Sequence, residues 1–369
     1  MLRILGSPRT LCDGITRRDF LHIGGLGAFG VGLSDLFRLE KLQAAGSETK
    51  GSFGKAKSCI LLFPYGSPPQ HETFDPKPDA PAEVQGEMKA IPTNVPGIQV
   101  CDHLPRIARV MDRVTVVRSM THPYPQHGVA YAVSGIPTYT PTLETVPRDS
   151  RHWPFIGSIV DYLDERRTRE VAPPVPRNVG LPWRMASKAD ISPLAGPYAA
   201  FLGQAYDPVW MDFVGDGTKI APRNTQTQKR DYHDPFMGIR ADGRFQFSPD
   251  AQLSPDVSGE RFHLRRSLLS QLDRAREILG AGQKTQGFDK YRELAFSMLT
   301  SNKVRDALDI DREPRKMRDA YGMTLFGQAC LAARRLVEAG SRFVTVFWDV
   351  YGASSPTAHG IRTSTITRV

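Results

Sequence analysis

Two short, unbroken apolar runs constrain the fold of this chain more than any other feature. "CILLFP" begins at Cys59, and "FVTVFW" runs from Phe343 to Trp348 and ends at an aspartate. Strands buried on both faces of a parallel sheet have such continuous apolar sequences, whereas half-exposed strands alternate. The runs therefore predict an α/β fold with a central sheet. Gly340, just before the second run, predicts the end of a helix that leads into it.

The pattern between these runs predicts further elements. "HLPRIARVMDR" has apolar residues at helical spacing and "VTVVRSM" (residues 114–120) predicts the next strand, so that the first strand, the helix and this strand form a βαβ-like unit. "WPFIGSIVDYLDERR" predicts a helix with Pro154 in its first turn. Residues 171–256, rich in Pro, Gly and Asp, predict loops, short strands and an irregular insertion. Residues 259–340 predict helices whose apolar stripes are packing faces.

The composition favours a globular protein without a specific charged partner. Of 369 residues, 48 are Lys or Arg and 39 are Asp or Glu, which gives a formal net charge of +9. No basic stripe interleaved with aromatic residues appears, so we expect no nucleic-acid binding, although an anionic substrate or surface would benefit from the charge. Cys59, Cys101 and Cys330 lie in mostly apolar surroundings and are expected to be buried small residues.

The N-terminal segment has the form of a twin-arginine export signal. Arg17 and Arg18 precede Phe20 and Leu21, and a Gly-rich apolar stretch continues to Leu33. This stretch is shorter than the roughly 20 residues that a spanning helix needs, so no membrane-spanning helix is expected in the mature chain. We expect export to the periplasm or cell envelope, with a signal segment at residues 1–45 and a linker at 46–57. The sequence does not decide whether the signal is cleaved or stays and tethers the protein to the membrane. The alternative to an export signal is an amphipathic N-terminal helix.

Candidate ligands follow the first predicted strand. His71 and Asp75 lie in the Pro-rich loop after it, and the carboxyl end of a parallel strand is where α/β proteins gather ligands. Histidine and carboxylate side chains can bind a hard metal ion or act as an acid/base pair. The alternative is a surface loop in which Asp75 forms an Asx-turn before Pro76.

A second group of candidates follows the second predicted strand. His122 and His127 lie before a predicted helix, and this position suits binding of a metal ion or an anion such as phosphate or sulfate. Thr121 is a nearby candidate nucleophile. Either histidine can alternatively cap a helix or satisfy a buried backbone group. Asp349, at the end of the last strand, is a further candidate ligand.

The stretch from "GSPPQHETFDPKPDAP" to "HPYPQHGVAYAVSG", preceded by the twin-arginine signal, closely resembles the domain-of-unknown-function 1501 family. Such exported proteins are usually grouped with the alkaline phosphatase and sulfatase-like superfamily. The resemblance implies a central sheet with helices on both faces and, by superfamily analogy, a divalent metal ion acting on phosphate or sulfate esters. If such a site is present, we expect His71, Asp75, His122 and Asp349 as its metal ligands and His127 and Thr121 as its catalytic residues.

Two departures from the family pattern shape the remaining expectations. The Asp/His motifs that follow the last strand in family members do not occur here, and the superfamily's nucleophile has no clear counterpart. We therefore expect a partial alkaline phosphatase-like domain at residues 58–350, incomplete at its C-terminus. A disordered non-family tail is expected at 351–369, and little or no activity for the chain as written. The alternative function is a non-catalytic binding or structural protein that holds an anionic polymer.

Overall fold

A computed structural model of the chain describes residues 54–65, 68–121, 130–136, 143, 146, 149, 151–170, 172–188, 196–224, 229–247, 264, 267 and 286–349. The predicted signal with Arg17, Arg18, Phe20 and Leu21 lies outside these residues, as do most of the predicted linker and the predicted tail. The described residues from Lys57 onward belong to one compact unit. Within the described ranges, every helix is too short or too polar to cross a lipid bilayer.

The described strands and helices of this unit follow one another in groups along the chain. The described strands are β1 (Cys59–Pro64), β2 (Ala90–Pro92), β3 (Gln99–Cys101), β4 (Asn178–Leu181), β5 (Val209–Val214), β6 (Ile220–Asn224), β7 (Lys229–His233), β8 (Arg244–Phe247) and β9 (Phe343–Trp348). The described helices are α1 (Pro105–Ala108), α2 (Ala130–Ser134), α3 (Ile156–Thr168), α4 (Gln286–Thr300), α5 (Asn302–Leu308), α6 (Arg315–Tyr321) and α7 (Leu325–Ala339).

Five strands form a mainly parallel central sheet in the order β1-β9-β4-β5-β8. The first four strands of this order are parallel, and β8 joins β5 antiparallel. The pairs β2–β3 and β6–β7 form separate antiparallel sheets. The prediction of an α/β fold with a central sheet is confirmed. Because the four parallel strands run in one direction, their carboxyl ends all meet at one edge, called the carboxyl edge below.

Helices pack on both faces of this sheet, as β9 makes clear. Val344 and Val346 belong to a large apolar cluster that includes the buried side of α7. Phe343 and Phe347 alternate with them and belong to a second cluster, in which Phe155, just before α3, packs edge-on against Phe343 at 5.6 Å between ring centroids. The strand between these layers is buried, which explains its unbroken apolar sequence.

Three local predictions differ from the structure. β1 exists, but it lies at an edge of the sheet and is not buried on both faces, since Leu62 is 51% exposed. Residues 114–121 contain no strand: Val116 packs beside Met111 in a small cluster, and Arg118 bonds the Phe74 carbonyl. The helix predicted around Pro154 begins at Ile156.

The cysteine prediction is confirmed only in part. Cys101 is buried, Cys330 is half-buried and Cys59 is exposed on the edge strand, so the expectation of burial is wrong for Cys59. Burial raises the pKa of the Cys330 thiol to about 12, so this side chain is an inert packing group at neutral pH.

The region predicted to be irregular supplies three strands of the central sheet, β4, β5 and β8. β4 has the sequence "NVGL", and all four of its residues are buried. Its Gly180 lies under the indole of Trp210 on β5, and a Cβ at this position would approach that ring to 2.6 Å. The glycine is therefore needed for close packing, although in the sequence it weakens the strand signal.

Candidate functional site

Asp349 is the best-defined candidate side chain at the carboxyl edge. It follows β9, the second strand in the sheet order, and is 6% exposed. Its Oδ2 accepts a hydrogen bond from Trp183 Nε1 at 3.0 Å and another from the Ala186 backbone N–H at 2.8 Å. Two donors on one oxygen fix the orientation of this carboxylate.

Both donors lie in the loop that leaves β4, the neighbour of β9. Trp183 is 2% exposed and packs edge-on against Phe236 at 5.7 Å between ring centroids, so its indole has a fixed position. Met185 in the same loop is also buried. Packing of apolar side chains thus holds the N–H groups of Trp183 and Ala186 close to the Asp349 carboxylate at the end of β9.

A basic side chain lies beside this loop. Lys188 Nζ is 3.2 Å from Asp212 Oδ1 on β5 and 5.9 Å from the centre of a Trp183 ring. The Lys188 side chain is 38% exposed, so the ammonium group can exchange its partner at little cost. The carboxyl edge therefore combines a buried, oriented carboxylate with an accessible cation.

Two other described candidates, His71 and Asp75, lie on the first loop. His71 lies half-buried in a single 3-10 turn, Gln70–Glu72, and its ring lies close to Gly86. Asp75 pairs with Lys77 Nζ at 2.9 Å and with Arg118 Nη1 at 3.5 Å. Two exposed cations therefore engage this carboxylate, and the role of Asp75 as a metal ligand stays a prediction.

The remaining predicted residues stay predictions. Thr121 is exposed and lies outside any helix or strand, whereas His122 and His127 fall outside the described residues. The part of the chain that the structure describes contains no group of three His, Cys, Asp or Glu side chains placed to hold a metal ion. Asp349 fits the role of an oriented metal-ligating carboxylate, because such ligands are commonly held by hydrogen bonds from a surrounding shell.

A polar pocket lies at the opposite edge of the sheet, where β4 and β5 begin. Its lining includes Asp161, Arg177 and Lys290, whose side chains are all less than 10% exposed. Lys290 Nζ lies 2.6 Å from Glu165 Oε2 and 3.4 Å from the centre of the Tyr206 ring. Burial raises the pKa of Asp161, although Lys290 and Arg177 oppose the shift. These charges pair with one another, so the pocket fits a structural role.

Sequence reasoning identified Asp349 but missed the groups that orient it. Trp183 and Ala186 lie in "LPWRMAS", inside the region predicted to be irregular. The available signal was a short apolar stretch followed by Pro and Trp, which is typical of a strand that ends in a packed loop. The buried charges of the polar pocket, Asp161, Arg177 and Lys290, had no sequence signal, because they come from segments far apart along the chain.

Comparison with known proteins supplies one match. A family described as "Protein of unknown function (DUF1501)" matches residues 56–360, which is more than half of the chain. No curated protein and no solved structure matches the chain.

Proposed function

We propose that this chain, which belongs to the DUF1501 family of proteins of unknown function, is exported and binds a phosphate or sulfate ester at the carboxyl edge of its sheet. The proposal includes a divalent metal ion and the reaction class of metal-dependent ester hydrolases. The observation that carries it is the buried Asp349 carboxylate, which two N–H donors hold at the end of β9. Ligands of open parallel sheets bind outside the carboxyl ends of the strands.

Electrostatic repulsion is the reason that the proposed site near Asp349 includes a metal ion. A carboxylate repels an anionic ester, so the two can share a site only when a cation lies between them. A bound divalent ion would polarise the ester oxygens and stabilise charge in an in-line displacement. Asp349 would hold such an ion, while Trp183 and Ala186 would keep the carboxylate oriented. His71, His122 and His127 are the proposed further ligands or acid/base groups, with Thr121 as the proposed nucleophile.

Calorimetry with inorganic phosphate and sulfate tests this site without requiring turnover. We expect binding in the presence of a divalent ion, and loss of at least about tenfold in affinity for Asp349→Asn, which removes the charge but keeps an oxygen acceptor for both N–H donors. Asp319→Asn is the control, because Asp319 is an exposed α6 residue paired with Arg315. Equal affinity of Asp349→Asn and the parent chain would refute the proposed site.

A second candidate function is the binding of an anionic polymer without hydrolysis. The observation that favours it is the engagement of Asp75 by Lys77 and Arg118, because a carboxylate paired with two cations is less available to a metal ion. The formal net charge of +9 also suits a polyanion. Polyphosphate binding that is unchanged by a chelator and by Asp349→Asn would favour this function over the first.

Export through the twin-arginine pathway is a separate part of the proposal, supported by the sequence around Arg17 and Arg18. Replacing both residues by lysine is expected to retain the chain in the cytoplasm, as measured by fractionation of expressing cells. The matched control replaces Arg3 and Arg9 by lysine. It makes the same two substitutions outside the motif and, like the test variant, keeps the charge unchanged. Equal export of the two double variants would contradict the proposal.

A further inference from the structure

The helix α3 carries small and polar residues on its inner side and apolar residues on its outer side. Gly157, Ser158 and Asp161 are buried. Ile156 and Leu163, two turns apart on the opposite side, are 49% and 57% exposed. An ordinary surface helix has the reverse arrangement, because its apolar stripe faces the core. The outer face of α3 is therefore better suited to contact with an apolar partner than to contact with water.

Two aromatic side chains extend this apolar face at the start of α3. Trp153 and Phe201 are 48% and 65% exposed, and their rings pack edge-on at 5.8 Å between centroids. Phe201 lies in the 3-10 turn Ala200–Leu202, which contacts α3. The group called the α3 patch below consists of Trp153, Ile156, Leu163 and Phe201. Single exposed apolar residues are ordinary, whereas a group of neighbouring ones marks an interaction surface.

Exposed arginines flank the α3 patch along the chain. They are Arg151, which precedes the patch, and Arg166, Arg167 and Arg169, which follow it. Arg167 is 67% exposed while its partner Asp164 is only 11% exposed, so the positive charge is the one that reaches water. Arg151 and its partner Asp149 show the same relation, at 61% and 14%. Glu170 is the one exposed acidic residue among residues 151–170, so the rim of the patch is basic.

We propose that the α3 patch docks on the surface of a lipid bilayer that contains anionic lipids. Exposed Trp, Phe and Leu side chains insert among lipid headgroups, and arginines beside them attract the anionic ones. A helix with apolar residues on one side lies in the plane of the interface and does not cross the bilayer. The formal net charge of +9 adds a longer-range attraction to the same surface.

Charge favours a bilayer over a second copy of this chain as the partner. Because arginines lie at both ends of the α3 patch, two patches packed on each other in either orientation would bring arginines against arginines. An anionic headgroup layer meets the same arginines with opposite charge. The exposed ring pair of Trp153 and Phe201 favours the same partner, since aromatic side chains are enriched where an apolar medium meets water.

Sedimentation of the full chain with lipid vesicles tests the docking. We expect binding to mixed phosphatidylcholine and phosphatidylglycerol vesicles at least about tenfold tighter than to phosphatidylcholine alone, and weaker binding as salt is added. Phe201→Ser and Leu163→Ser remove exposed apolar side chains from the patch, and each should weaken binding at least about fivefold. Val117→Ser is the matched control, because Val117 is a 61% exposed valine outside the patch. It should bind as the parent chain does.

A pair of double variants tests the contribution of the arginines. Replacing Arg166 and Arg167 by glutamine should weaken binding to the anionic vesicles and reduce its salt dependence. Replacing Arg109 and Arg113 by glutamine removes the same charge from exposed residues outside the patch and should have a smaller effect. The inference does not depend on ester or metal binding, so its failure would leave the calorimetric test of the proposed function unaffected.

Three results would overturn the inference. The first is a parent chain that does not bind the anionic vesicles, or that binds both kinds of vesicle equally. The second is binding that Phe201→Ser and Leu163→Ser leave unchanged, because another part of the chain would then hold the vesicle. The third is self-association of the parent chain that Phe201→Ser abolishes with no change in vesicle binding, because a second copy would then occupy the patch.

Discussion

Glu313 shows how a single carboxylate joins two parts of the helical layer. It accepts hydrogen bonds from Arg334 Nη2 at 2.6 Å and Arg335 Nη1 at 2.7 Å, both on α7, while its side chain is only 12% exposed. The hydrogen bond from Arg335, together with that from Arg334, holds the pKa of Glu313 below its ordinary value of 4.5, although burial opposes the shift. Charge-assisted hydrogen bonds of this kind are among the stronger polar contacts.

Replacing Glu313 by Gln is expected to lower the free energy of unfolding at pH 7 by about 1–3 kcal/mol. Because the folded-state pKa is depressed, the stabilisation is fully present above pH 4.5 and is lost as the pH falls through the folded-state pKa. Urea unfolding across this range should show the difference between the two proteins shrinking toward acid. Glu338→Gln is the control, because Glu338 is an exposed partner of Arg334. It should lower the free energy of unfolding by less than about 1 kcal/mol at any pH.

At the scale of elements, α7 is defined by residues that were readable in the sequence. Thr324 Oγ1 accepts a hydrogen bond from the Gly327 N–H at the start of the helix, and Gly340 ends it with φ near +124°. The apolar stripe between these ends packs on the sheet. Strong local signals of this kind explain why α7 and β9 could be predicted. "NVGL" of β4 has no such signal, because its place depends on pairing with β9 and β5 and on the close approach of Gly180 to Trp210.

Thr324→Ala is expected to destabilise the fold by about 1 kcal/mol, because it removes the side-chain acceptor at the helix N-terminus. Thermal unfolding monitored by circular dichroism measures the effect. Thr324→Ser keeps the hydroxyl and should retain most of the stability. A serine variant as unstable as the alanine variant would show that packing of the threonine methyl group, and not the cap, is responsible.

At the scale of the whole molecule, the two edges of the sheet have different chemistry. The amino edge holds buried charges that pair with one another, as Arg177 does with Asp164 at 2.8 Å. The carboxyl edge holds Asp349, whose carboxylate is oriented by neutral N–H donors. Asp349 could be identified from its position after a predicted strand. Its donors could not, because their approach depends on which strands become neighbours, and no local pattern encodes that order.

The divalent metal content of the purified chain, measured by mass spectrometry of the dissolved metal, tests the proposed site most directly. We predict a stoichiometric divalent ion in the parent chain and in Asp319→Asn, and a clear loss of that ion in Asp349→Asn. A parent chain without a stoichiometric ion, or an Asp349→Asn variant that retains it in full, would contradict a metal site at the carboxyl edge of the sheet.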